Sequence, residues 1–195
     1  MAATTKGIVA AGHAKAADAA VHALRQGGNA FDAVVAAGFA SAVCEPGFTS
    51  LAGGGFLLAR SPSAGDVLFD FFVDTPGRGL PTGTVDPVFE EVWVDFGSAR
   101  QTFHCGPGSV AVPGCLAGYL HVHRRLGRLP IDAVVEPAVD LAAGGVEVSV
   151  TQANDFALLA PILARTQASR AIFFPDGELL RAGDTLHNRD LAHFL

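Results

Sequence analysis

Near the start of the chain the polar residues Lys15, Asp18, His22 and Arg25 recur every three or four positions, with Ala17, Val21 and Leu24 on the other side. That spacing predicts an amphipathic helix. Gly27 and Gly28 end it, because the left-handed closing residue of a helix favours glycine. Asn29 then offers a side-chain oxygen as the cap of a second helix, and Asp32 falls in its first turn, where a carboxylate meets the positive end of the helix dipole. The second helix, AFDAVVAAGFASAVC over residues 30–44, is apolar on every side apart from Asp32 and Ser41 and so requires cover all round. Glu45-Pro46-Gly47 stops it.

The pattern then changes period. FLLAR and VLFDFFV, joined by the polar SPSAGD, read as a hairpin of two apolar strands. Neither alternates cleanly, which predicts burial on both faces. Ahead of the first strand stand Gly53, Gly54 and Gly55. The order helix, glycines, strand excludes a dinucleotide fingerprint, and no Lys-Ser/Thr pair follows to make a phosphate loop. The glycines are expected to form a tight crossing of a helix layer on the sheet, with positive φ at one or more of them, although their N–H groups are also suited to lining a pocket. Further on, VWVDF reads as a strand, GPGSVAVPG as a loop, and Cys115–Leu126 and Ile131–Ala143 as helices, with Pro130 at the tolerated first position and Pro137 a kink site inside. A helical segment follows Thr151, and the Pro-Asp-Gly of FFPDGELL is a turn signal. No repeat, low-complexity tract or linker divides the chain.

These elements make an α+β fold, helix layers on a sheet that is apolar on both sides. The strands are too few to cover the apolar helix faces. Residues 1–195 therefore read as a single, incomplete domain whose remaining cover comes from another chain or a C-terminal segment.

Composition sharpens what is excluded. Half of the 195 residues are hydrophobic, 16% are charged, and the mean hydropathy is +0.36. A net charge of −6 with no basic stripe argues against nucleic acid. Three scattered cysteines make no disulfide framework and suit a reducing compartment. The start lacks the basic and apolar regions of a signal peptide, and the longest apolar run, residues 30–44, is shorter than the roughly 20 residues a bilayer needs. A cytoplasmic location without membrane contact is the expectation, and no cofactor is called for. His104, Cys105, Cys115, His121 and His123 lack metal-site spacing, and two of them, His121 and His123, point different ways on one helix. Asp32 has two readings, a catalytic carboxylate and a cap, and its place beside Asn29 favours the cap. Glu90 and Glu91 form no acid–base pair and read as solvated.

Four blocks in order, GHAKAADAAVHALRQGGNAFDAVVAAGFASAVCEP, LAGGGFLL, GSVAVPGCLAGYLHVHRRLGRLPIDAVVEPAVDLAAGGVEVS and AIFFPDGELLRAGDTL, resemble the N-terminal part of the large subunit of the γ-glutamyltranspeptidase family. The resemblance covers nearly the whole chain. It implies an N-terminal-nucleophile hydrolase with an αββα sandwich, made as a precursor that cleaves itself into a large and a small subunit, and γ-glutamyl transfer or hydrolysis with glutathione as the typical donor. In that chemistry an N-terminal threonine attacks the amide, its α-amine is the base, and backbone N–H groups hold the oxyanion. In the family that threonine opens the small subunit, so no catalytic residue is expected in these 195 residues and the chain alone is expected to be inactive. Thr4 and Thr5 lie at the wrong end of the pattern, and loss of Met1 exposes Ala2.

The resemblance also implies one substrate contact, an arginine for the donor's α-carboxylate in a pattern D-x-R-E-x-A-P. Aligned on Asp70 and Pro76, this chain reads DFFVDTP, which places Phe72 at the arginine. A phenyl ring cannot replace a guanidinium fork. Arg78 is the nearest residue to restore the charge, against a plain reading as a solvated loop residue. Phe72 reads as core, or, if it lines the pocket, as a selector of an apolar acyl group. The expectations are thus a γ-glutamyltransferase or glutathione hydrolase completed by its small subunit, a related acylase for a non-glutamyl group, or a nucleophile-free binding or scaffold remnant, with self-association of the uncovered chain.

Overall fold

A computed structural model describes residues 7–62, 65–84 and 86–195, so Thr4 and Thr5 lie outside the described residues. The architecture is mixed, helices with small antiparallel sheets, in two compact units. One gathers the chain up to Val73 with Pro113–Gly145 and Asn188–Leu195; the other holds Asp74–Val112 and Val146–His187.

In the first unit, helix α1 (Ala14–Arg25) packs on helix α2 (Ala30–Cys44). The buried face of α1 is Ala16, Ala19, Ala20 and Ala23. The expected stripe of Ala17, Val21 and Leu24 lies instead at its half-buried flank. Alanines take the centre because they let two helix backbones approach closely, which larger side chains do not allow. Gly27 closes α1 at φ 92°, as expected. Helix α2 is largely covered, but Val34 is 43% exposed, so the predicted cover on every face is incomplete.

Strands β1 (Gly55–Ser61) and β2 (Gly65–Phe71) form the expected hairpin, in a register that pairs Phe56 with Asp70 and Leu58 with Leu68. The predicted burial on both faces is corrected here. Ala59 and Phe69 are buried on one face, while Phe56, Leu58 and Leu68 are 59%, 77% and 62% exposed on the other. The outer face thus exposes these three apolar side chains among Arg60, Asp66 and Asp70, and nothing among the described residues covers them.

The next two elements of the first unit pack on this frame: helix α3 (Cys115–Leu126) against α2 and β2, and helix α4 (Ile131–Gly144) against α2. Helix α4 runs on through Pro137 as one element, with Pro130 as its N-cap. A short C-terminal helix, Arg189–Phe194, docks on α4.

In the second unit, β3 (Glu90–Asp95) is the expected strand, and it pairs antiparallel with β4 (Arg100–Cys105), which the sequence pattern did not show. RQTFHC carries few apolar residues and is held by its ladder to β3. Helix α5 (Val150–Leu163) packs on β3, with Val92 and Val94 buried. A short helix, Gln167–Phe173, and the paired short strands Val146–Glu147 and Thr185–Leu186 build with α5 a core of Val148, Phe156, Phe173, Leu180 and Leu186, in which the Phe156 and Phe173 rings meet edge to face at 5.0 Å.

Candidate functional site

The end of β2 is where the sequence placed a substrate contact. Phe72 is 58% exposed and is not a core residue. It follows β2 directly, its N–H donates to Asp70 Oδ1 at 3.0 Å, and its ring stacks on Phe56 with centroids 5.3 Å apart and planes 9° apart. Phe56 was not singled out by the sequence. The available signal was its place in the period-two series with Leu58, since on a hairpin such positions share a face. At the far end of that face the Arg60 guanidinium grips Asp66 with two bonds, at 2.6 and 2.8 Å.

The backbone beneath Phe72 is held by glycines. A Cβ on Gly54 would lie 2.9 Å from the carbonyl carbon of Phe72 and closer still to the nitrogen of Val73. One on Gly114 would overlap the carbonyl of Phe71, with its carbon at 2.7 Å, and one on Gly118 would run into the Phe71 side chain, with Cδ1 at 2.5 Å and Cβ at 2.7 Å. Of Gly53, Gly54 and Gly55 only Gly54 lies tightly against the backbone of another segment; Gly53 is closest to Ser50 of its own turn and Gly55 to the edge of the Phe71 ring, and none has positive φ. The expected left-handed geometry is therefore absent, the crossing is made by Gly54 on the chain leaving β2 and not by a helix layer, and space, not torsion, demands that glycine. The Gly53 carbonyl also accepts N–H groups from Gly114 and Cys115, both at 2.9 Å, which satisfies the start of α3.

Arg78 belongs to the second unit and is engaged there. Its guanidinium donates to Asp74 at 2.5 Å, and that partner, with the Thr75 N–H, holds the Asp74 carboxyl below the usual carboxylate range. Both side chains are well exposed. Arg78 thus has a carboxylate of its own, whereas Phe72 has an aromatic one-sided neighbour; the two predicted residues are anchored separately, each within its own unit.

Asp32 is fully buried. It completes a capping box with Asn29, as expected, and also does something local sequence cannot show: it accepts the N–H groups of Arg128 and Leu129 between α3 and α4. His123 Nε2 lies 2.9 Å from the Leu129 carbonyl and 3.5 Å from Asp32, while His121 turns to the Phe69 ring. Among the described residues no group of three or more His, Cys, Asp or Glu side chains is placed to hold a metal. Cys44 and Cys115 are buried, and burial pushes the Cys44 thiol up to about 12. Glu90 and Glu91 are exposed; Glu90 pairs with Arg165 and Glu91 approaches His104. No helix among the described residues is long and apolar enough to cross a membrane.

These features define a mixed α+β chain of the kind found in γ-glutamyltranspeptidase structures. It superposes on the crystal structure of Helicobacter pylori γ-glutamyltranspeptidase with a TM-score of 0.78 and 27% identity, over 99% of this chain and 54% of that one. The family model Gamma-glutamyltranspeptidase matches residues 16–195, and the chain belongs to that family. It is 35% identical to the glutathione hydrolase proenzyme of Escherichia coli (strain K12), over 97% of this chain and 32% of that protein. It is 34% identical to the acylase ACY 1 proenzyme of Pseudomonas sp. (strain V22), over 96% of this chain and 34% of that protein. The chain spans about a third of the length of these relatives.

Proposed function

We propose that this chain is the N-terminal part of a γ-glutamyltranspeptidase-type amide acyltransferase or hydrolase, acting on γ-glutamyl amides such as glutathione once a segment bearing an N-terminal threonine completes it. The observation that carries the reading is the family match over residues 16–195, together with the relatedness to a glutathione hydrolase proenzyme. In this reading the chain supplies part of an αββα sandwich. The uncovered face of Phe56, Leu58 and Leu68 is where a second sheet packs, since apolar sheet faces are stable when stacked about 10 Å apart. The catalytic threonine and oxyanion donors come from the completing segment, and the end of β2 borders the acyl group of the donor.

A second reading, an acylase for a non-glutamyl group, is favoured by Phe72. A ring stacked on another ring offers no fork for an α-carboxylate and a flat apolar surface instead. Arg78 does not offset this, because it is already paired with Asp74.

The test is to co-express the chain with its nucleophile-bearing segment, purify the complex and assay a chromogenic γ-glutamyl anilide beside anilides of an aliphatic dicarboxylic acid and of phenylacetic acid. Release from the first supports the γ-glutamyl reading and release from either of the others alone supports the acylase. A well-folded, matured complex that cleaves none of them would overturn both.

A further inference from the structure

We infer that Gly54, Gly114 and Gly118 are positioning residues for donor specificity: they form a seat that fixes the backbone of Phe71–Val73 and so sets where the Phe72 ring stands. This rests on the reading of Phe72 as a neighbour of the acyl group.

The three glycines come from two distant parts of the chain, the turn before β1 and the first turns of α3, and converge on the same three residues. For each, the place a Cβ would take is already filled by Phe71, Phe72 or Val73. Two of these encounters are with backbone atoms, which cannot swing aside as the end of a side chain can. None of the three glycines has positive φ, so alanine would be acceptable to their own torsions and the requirement is one of approach alone. Helix α3 is also tied at both ends. The Gly53 carbonyl holds its first N–H groups, and at its other end the Leu126 carbonyl accepts Asn29 Nδ2 at 2.7 Å. The seat is therefore a fixed strut pressed on β2 from one side and a turn pressed on it from another.

Core packing accounts for part of this: Phe71 is half-buried and its ring meets Tyr119 edge to face at 5.7 Å, so the fit at Gly114 and Gly118 also serves that contact. It does not account for Gly54, whose close approach falls on the peptide between Phe72 and Val73, next to a ring that is exposed and stacks on Phe56. A close-fitting backbone under an exposed side chain is what a recognition surface needs, since displacement of a positioning element by about 1 Å can cost a hundredfold in rate.

The experiment uses the completed, matured complex and reads KM and kcat separately for the best donor anilide and for one other donor it accepts. Gly54→Ala and Gly118→Ala are compared with Phe72→Ala and with Gly127→Ala, a control at the far end of α3 whose Cβ would crowd His123 and Asp32, away from β2. The expected result is that both seat variants and Phe72→Ala change the ratio of the two donors' KM values by about tenfold or more, while Gly127→Ala lowers the melting temperature and leaves the ratio unchanged. Should Gly118→Ala fail to accumulate, Phe71→Leu loosens the same contact without a clash, and should Gly54→Ala fail, Val73→Ala does so at Gly54; each is read in the same way. If Phe72→Ala moves the ratio and the seat variants do not, the inference is overturned and the reading of Phe72 stands. If the seat variants move it and Phe72→Ala does not, the route through Phe72 is wrong. If none moves it, the end of β2 is not at the donor, and both fall together.

Discussion

The carboxylate of Asp32 accepts the backbone N–H of Arg128, 3.0 Å from one oxygen and 3.1 Å from the other, across 96 residues of sequence. The same carboxylate accepts the N–H of Asn29 at 2.8 Å and of Leu129 at 3.3 Å. One side chain thus satisfies donors at the start of α2 and in the turn between α3 and α4. Because it is buried, its loss leaves those donors without water to replace it. Asp32→Ala is expected to destabilise the protein by about 3 kcal/mol or more, and Asn29→Ala, which removes the cap oxygen and the bond to Leu126, by about 1–2 kcal/mol. Urea unfolding of the completed complex measures both; equal and small losses would show that the turn finds other acceptors.

Phe72→Arg is expected to improve γ-glutamyl donors. One charge-assisted bidentate contact to a carboxylate contributes about 1.5–3 kcal/mol, so kcat/KM for a γ-glutamyl anilide should rise about tenfold or more. A wild-type complex already saturated by ordinary glutamyl donors would place Phe72 away from the α-carboxylate.

The outer face of the β1–β2 hairpin leaves Phe56, Leu58, Leu68 and Phe72 exposed together. Such a face invites association. The 195-residue chain on its own is expected to bind a hydrophobic dye and to self-associate, and the pair Leu58→Lys and Leu68→Glu to reduce both, read by dye fluorescence and gel filtration. A monodisperse monomer without dye binding would show that the face is closed in solution.

Alkaline pH should destabilise the fold before it ionises the core. Burial, aided by Glu45 and opposed by Lys15, raises the Cys44 thiol from 9.0 to about 12, and burial beside Cys115 lifts the Tyr119 phenol above the usual tyrosine range. Above pH 9 the unfolded chain releases the Cys44 proton while the folded chain still holds it, so this contribution is present below pH 9 and is lost as pH rises towards 12. The slope is about 1.4 kcal/mol per pH unit for one such group. Cys44→Ala should flatten the fall between pH 9 and 10, where the unfolded Tyr119 phenol has only begun to ionise and the thiol carries more of the slope; an unchanged slope there would assign it elsewhere.

What the sequence determined by itself was whatever a few neighbouring residues decide. The cap of α2 was legible because Asn29 and Asp32 stand three apart and satisfy each other's backbone. The closing turn at Gly27, the hairpin of residues 55–71, the ends of α3 and the turn at Gly177 follow from the same short-range rules. Four ordered blocks carried the family. The tertiary structure alone decided which faces were wet and which glycines touched what. Leu58 and Ala59 are adjacent apolar residues of one strand, yet one is exposed and the other buried, because a strand sends neighbours to opposite faces and only the layers packed on it settle their fates. Strand β4 was hidden because its polar sequence is held by pairing with β3. Gly54 and Gly118 meet around Phe71–Val73 although 64 positions separate them, and Asp32 reaches Arg128 across 96. Closeness of that kind arises when elements pack, and no local pattern of residues encodes it.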